Sequence, residues 1–177
     1  MPYLIEDLDH AKAVIASQEG EKVAKQIKSK VGWVPVGYFV RGPRHLTSNR
    51  PIKTPDELNN LILRVPNVPI SVATWNALGA KPTPMAFSEV FTGLQAGTIE
   101  AQENPLALIN SAGFHEVQKY VNLTQHVVGW VYLLIGEKQL DLLSPEDRQA
   151  VLDAGQAMQA FHQKLFVEEE AESSNAA

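Results

Sequence analysis

Leu61-Ile62-Leu63-Arg64-Val65 is an apolar run of strand length broken by a single charge. A lone guanidinium is costly to bury, so Arg64 must face a cleft or meet a partner. The run belongs to an alternation of extended and helical segments, the pattern of an α/β fold with a largely parallel sheet. Residues 7–30 read as helix, interrupted near Gly20, with Ala13, Val14, Val23, Ala24 and Ile27 as its apolar stripe. A strand over 33–40 follows and ends in an Arg41-Gly42-Pro43-Arg44 loop.

Thr54-Pro55-Asp56-Glu57 opens a short helix, with proline at its first position and glutamate at its third. Helices over 71–78 and about 87–95 close on Gly79 and Gly97, each leading into extended chain. Residues 99–104 form the next strand candidate, and Pro105 opens a helix over 106–109. The continuous apolar run 127–135 predicts a strand buried on both faces. Ser144-Pro145-Glu146-Asp147 starts a long helix whose stripe, Val151, Ala154, Met158, Phe161 and Leu165, is expected to pack into the core. In such sheets ligands bind beyond the carboxyl ends of strands, which is where Arg64 and Asn104 fall.

Charge is distributed unevenly. Four of the five arginines, Arg41, Arg44, Arg50 and Arg64, fall close together in a chain whose net charge is −5. With Lys53 they outnumber Asp56 and Glu57, leaving +3 over residues 38–64. The guanidinium fork matches carboxylate or phosphate geometry, so this concentration points to a small anionic ligand. A solvated charged face has the same composition, and at this level both readings stand. Nucleic acid is not the expected partner, since a pI near 5.5 opposes the counterion-release term that drives such binding.

Other classes find little support. Cysteine is absent, which removes disulfides and thiol catalysis. His10, His45, His115, His126 and His162 are scattered without a metal-ligand spacing, and no metal or other cofactor is expected. No nucleophile elbow, phosphate loop or dinucleotide fingerprint occurs, so the chain is not read as an enzyme and no catalytic residue is assigned. The longest apolar run is too short to span a bilayer, and the first residues lack the pattern of a signal peptide.

Several segments together resemble the DctP-type solute-binding proteins of tripartite ATP-independent periplasmic (TRAP) transporters. They include Arg44-His45-Leu46-Thr47-Ser48-Asn49-Arg50-Pro51, Leu63-Arg64-Val65-Pro66, Pro84-Met85-Ala86-Phe87-Ser88-Glu89-Val90, Gln102-Glu103-Asn104-Pro105 and Glu116-Val117-Gln118-Lys119-Tyr120. The resemblance implies a periplasmic-binding-protein-like, two-lobed clamshell, of which this chain would be mainly the second lobe with part of the first. Residues 1–40 would be a remnant of the first lobe and 41–126 the ligand-anchoring second. Residues 127–143 would then form a crossing strand region, 144–172 the long helix and 173–177 a disordered tail.

By the same resemblance Arg64 would make a bidentate salt bridge to a ligand carboxylate and Asn104 would hydrogen-bond it. Arg44, Phe87 and His126 would complete the pocket. The implied ligand is a C4-dicarboxylate, sugar acid or keto acid, delivered in the periplasm to TRAP permease subunits. Relative to that family the chain looks shortened at its amino end and at its carboxyl end. The alternative is therefore a non-transporting fragment that self-associates as a homo-oligomer or complements another chain.

Overall fold

The structure is a computed structural model describing residues 2–175, apart from the side chains of 167 and 169–175. Helices α1 (Leu8–Ala16) and α2 (Gln18–Val31) meet at Ser17, three residues before the expected break. The serine decides the position: its Oγ accepts from the Gly20 N–H at 3.3 Å while its own N–H donates to Val14 O at 3.2 Å. Gly20 serves close approach, since a Cβ there would fall 2.1 Å from Ile15 O.

Strands β1 (Trp33–Ser48), β2 (Ile62–Val65), β3 (Lys81–Pro84), β4 (Ala101–Pro105) and β5 (Tyr120–Gly136) form one sheet in the order β3-β2-β4-β1-β5. The sheet is mixed. Strand β2 runs parallel to β3 and β4, whereas β1 is antiparallel to β4, with Arg44 opposite Pro105 and Ser48 opposite Ala101. The loop expected at 41–44 is instead the middle of β1. Proline is tolerated at position 43 because the ladder with β4 begins only at Arg44, so its missing N–H costs no bond there. Strand β5 is longer than expected and mostly half-buried, because it lies at the sheet edge.

Residues 43–127, with the first residues of the chain, form one compact unit; residues 5–42 and 128–171 form a second. The first is layered on both sheet faces. On one, α3 (Pro69–Ala77) and a 3-10 turn over Pro55–Leu58 cover Leu46, Leu63, Val65 and Ala101 with Trp75 and Leu58. On the other, α4 (Val90–Gln95), α5 (Leu106–Ser111) and Phe114 pack with Ile99 and Ile62. The helix expected over 87–95 begins as a 3-10 turn, Phe87–Glu89, and only then becomes α4.

In the second unit Ala11, Val40 and Val128 centre a cluster with Ile5, Leu8, Ile15, Tyr38 and Trp130. After α6 (Glu137–Asp141), helix α7 (Pro145–Asn175) is capped by Ser144, whose Oγ accepts from the Asp147 N–H at 3.1 Å. The helix continues past the point where a disordered tail was expected to begin; residues 176–177 lie outside those described.

The stripe read as the core face of α7 is not buried. Met158 is 39%, Phe161 64% and Leu165 40% exposed, whereas Gly155 and Phe166 are buried. Backbone approach selects that side: a Cβ on Gly155 would lie 2.3 Å from Val36 O, so only glycine lets α7 settle on β1. Gln159 Oε1 then accepts from the Tyr38 N–H at 3.0 Å, and His162 packs against Phe39 with ring centroids 4.3 Å apart. Gly155→Ala is expected to cost about 1–3 kcal/mol through overpacking against backbone that cannot rotate away. Chemical denaturation reads this directly, and an unchanged midpoint would show that the helix shifts freely.

Candidate functional site

Because Leu63 pairs with Ala101 across parallel strands, Arg64 shares a sheet face with Gln102 and Asn104. Both lie near the carboxyl ends of their strands. Arg64 is 5% exposed, and its Nε and Nη2 donate to Met85 O at 3.1 and 2.8 Å. Met85 is fixed in turn, its N–H donating to Val65 O at 3.2 Å. The guanidinium carbon lies 5.9 Å from the Phe87 ring centroid, a cation–π distance. Phe87 packs on Phe114 yet stays 45% exposed, giving the arginine an apolar wall open on one side.

Among the described residues no carboxylate forms an ion pair with Arg64. Burial lowers the guanidinium's pKa from its ordinary value, the Glu103 charge opposes that shift, and the Arg44 charge adds to it. A guanidinium carries five N–H donors, and the carbonyl of Met85 occupies only two of its nitrogens. The site can therefore receive a planar anion at Arg64.

Arg44 is placed differently. Its Nε and Nη2 grip the Glu103 carboxylate, and Nη2 also donates to Glu103 O at 2.6 Å and Asn104 Oδ1 at 2.9 Å. Asn104 in turn donates through Nδ2 to Gln102 Oε1 at 2.7 Å. Gln102 donates to Thr47 Oγ1, which donates to Gln118 Oε1, both at 2.9 Å. A primary amide has two N–H donors, so one on Asn104 is left after Gln102 is served. Pro105 ends β4 and starts α5, which holds Asn104 at the strand terminus.

His126 joins from the opposite face. Its Nε2 lies 3.0 Å from Glu103 Oε2, its Nδ1 2.8 Å from Thr124 Oγ1, and its ring meets Trp75 edge-on at 5.0 Å. There it lines a cavity of about 200 Å³ with Tyr3, Ile52, Leu58, Trp75 and Thr124. The structure thus gathers Arg64, Asn104 and Phe87 on one face. Arg44 and His126 connect to them through Glu103, which sequence reasoning did not single out. Strand alternation carries the missed signal: Glu103 points away from Gln102 and Asn104 into an apolar layer, where a carboxylate must find a cation.

Desolvation pushes the Glu103 carboxyl up, but hydrogen bonds and charge from His126 and Arg44 outweigh it and leave its pKa below the ordinary value. His45, opposite Asn104, has its pKa lowered by burial and then by the His126 charge. Both folded pKa values are depressed, so the unfolded chain binds more protons and stability falls with falling pH. The loss is expected to begin below pH 6.5 as His45 is forced to charge, and to continue below 4.5 as Glu103 protonates. Urea midpoints that stay flat between pH 7 and 4 would contradict this.

Comparison with known proteins identifies the family to which this fold and site belong. The chain belongs to the DctP family, bacterial extracellular solute-binding protein family 7, whose model matches residues 1–177. A solute-binding protein of Roseobacter denitrificans is 51% identical over 172 residues, 97% of this chain and 53% of that protein. The 2,3-diketo-L-gulonate-binding periplasmic protein of Escherichia coli K12 is 36% identical, matching 96% of this chain and 52% of its own.

Among solved structures, a TRAP periplasmic solute-binding protein from Roseobacter denitrificans with bound L-galactonate superposes with a TM-score of 0.93 at 50% identity. It covers 99% of this chain, which spans 58% of it. A Sulfitobacter counterpart with bound β-D-galacturonate gives 0.95 at 30% identity, with 99% of this chain and 59% of that one covered. The chain spans about half the length of the curated relatives it matches. The fold is accordingly part of that of the TRAP periplasmic solute-binding proteins.

Proposed function

We propose that this chain supplies the ligand-anchoring part of a periplasmic solute-binding protein that captures a small organic acid, a sugar acid first among them, and delivers it to a TRAP permease. One observation carries the reading: a guanidinium only 5% exposed, braced by Met85 O and Phe87, with no carboxylate in ion-pair contact among the described residues. A ligand carboxylate completes that pair. Asn104 offers its remaining N–H beside it, Phe87 packs against the ligand's carbon skeleton, and Arg44 acts through Glu103 and Asn104. The relatives solved with L-galactonate and β-D-galacturonate support sugar acids over C4-dicarboxylates. Calorimetric titration with L-galactonate, D-glucuronate and succinate tests this; silence towards all three would refute it.

The exposed Met158, Phe161 and Leu165 face favours a second reading, a fragment that self-associates or pairs with a complementary chain. Light scattering over a range of concentrations separates that reading from a monomeric binding unit.

A further inference from the structure

The face that carries Arg64 and Asn104 also carries a polar side chain with an unpaired buried nitrogen among the described residues. His45 stands directly across the ladder from Asn104 and is 3% exposed. Its Nδ1 is buried without a hydrogen-bond partner among the described residues. The neighbouring polar side chains of that face are paired, in the run Asn104, Gln102, Thr47 and Gln118. Buried polar atoms without partners are uncommon and mark places where water, ion or ligand belongs.

We propose that His45 is a specificity-determining residue of the ligand site, which hydrogen-bonds a hydroxyl of a polyhydroxy acid, directly or through one ordered water. The inference rests on Arg64 anchoring the carboxylate. Burial and the nearby His126 favour the uncharged ring. A neutral imidazole has one donor and one acceptor, which suits a hydroxyl and gives no charge to a second carboxylate. A buried group set to bond a hydroxyl rejects analogues lacking it, because the group is then left unpaired. His45 would thus favour sugar acids over bare dicarboxylates of similar length.

The test is calorimetry at neutral pH with L-galactonate and its monodeoxy analogues on the parent chain, His45→Leu and His45→Asn. The parent is expected to bind one analogue about tenfold more weakly than galactonate, the size of one hydrogen bond made in a buried site. In His45→Leu, galactonate weakens about tenfold and that discrimination disappears, while the Asn variant recovers part of both. His45→Leu melts no lower than the parent, since it removes an unsatisfied buried atom, so lost binding is not lost folding. Unchanged galactonate affinity and analogue discrimination in His45→Leu overturns the assignment, as does an equal loss for galactonate and every analogue. A parent chain that binds no carboxylate removes the Arg64 anchor and His45's role with it. Parent binding that is lost in Arg64→Met but unaltered in His45→Leu removes His45 alone.

Discussion

Arg64→Met is expected to weaken carboxylate binding by about 2–5 kcal/mol, the range for truncating one partner of a buried charged pair. The unliganded variant should be no less stable than the parent. A buried cation without a counter-charge carries a desolvation penalty that an apolar side chain of similar length does not. The lost bonds to Met85 O work against this gain but are bonds to a neutral carbonyl, each small beside the penalty of an unpaired buried charge. Arg64→Lys keeps the charge and loses the fork, so it should fall between the two in affinity. Titration calorimetry paired with thermal melts reads both quantities. A large drop in melting temperature for Arg64→Met would mean that the arginine is a structural strut.

Glu103 has the reverse character. Its carboxylate is shared by Arg44 and His126 at 4% exposure, so Glu103→Ala leaves one half-buried cation and one buried imidazole without their acceptor. Removing one partner of such a pair costs about 3–5 kcal/mol. Ligand affinity should fall as well, because Arg44 Nη2 orients Asn104 Oδ1 and moves once Glu103 is gone. Glu103→Gln keeps the size and an acceptor oxygen and should cost less. If urea unfolding shows Glu103→Ala as stable as the parent, the Arg44–Glu103–His126 network contributes nothing to the fold.

These two residues show what the sequence could and could not reveal. Arg64 was legible because a charge inside an apolar run has few physical outcomes, and its place near the carboxyl end of a strand beside Asn104 follows from the βα alternation. Glu103 was hidden inside the same motif as Asn104, since adjacent strand residues face opposite layers and only the three-dimensional pairing brings Arg44 to it. His45 was passed over because a lone histidine has no spacing to mark it; its significance comes from a missing partner. The helix stripe misled for a local reason. Periodicity identified an apolar face on α7, but the side that packs is chosen by Gly155 meeting Val36 O, which hydrophobicity does not encode. The Arg41–Arg44 turn failed likewise, since Gly-Pro reads as a breaker unless the neighbouring ladder is known to start after it.

The most direct measurement is nuclear magnetic resonance of the arginine side chains during titration with L-galactonate, with Arg64 assigned from its absence in Arg64→Met. The guanidinium signals of Arg64 should shift and exchange more slowly with solvent as the carboxylate closes on it. Those of Arg44, already committed to Glu103 and Asn104, should move far less. Ligand binding that shifts Arg44 and leaves Arg64 untouched would contradict the assignment of Arg64 as the carboxylate anchor.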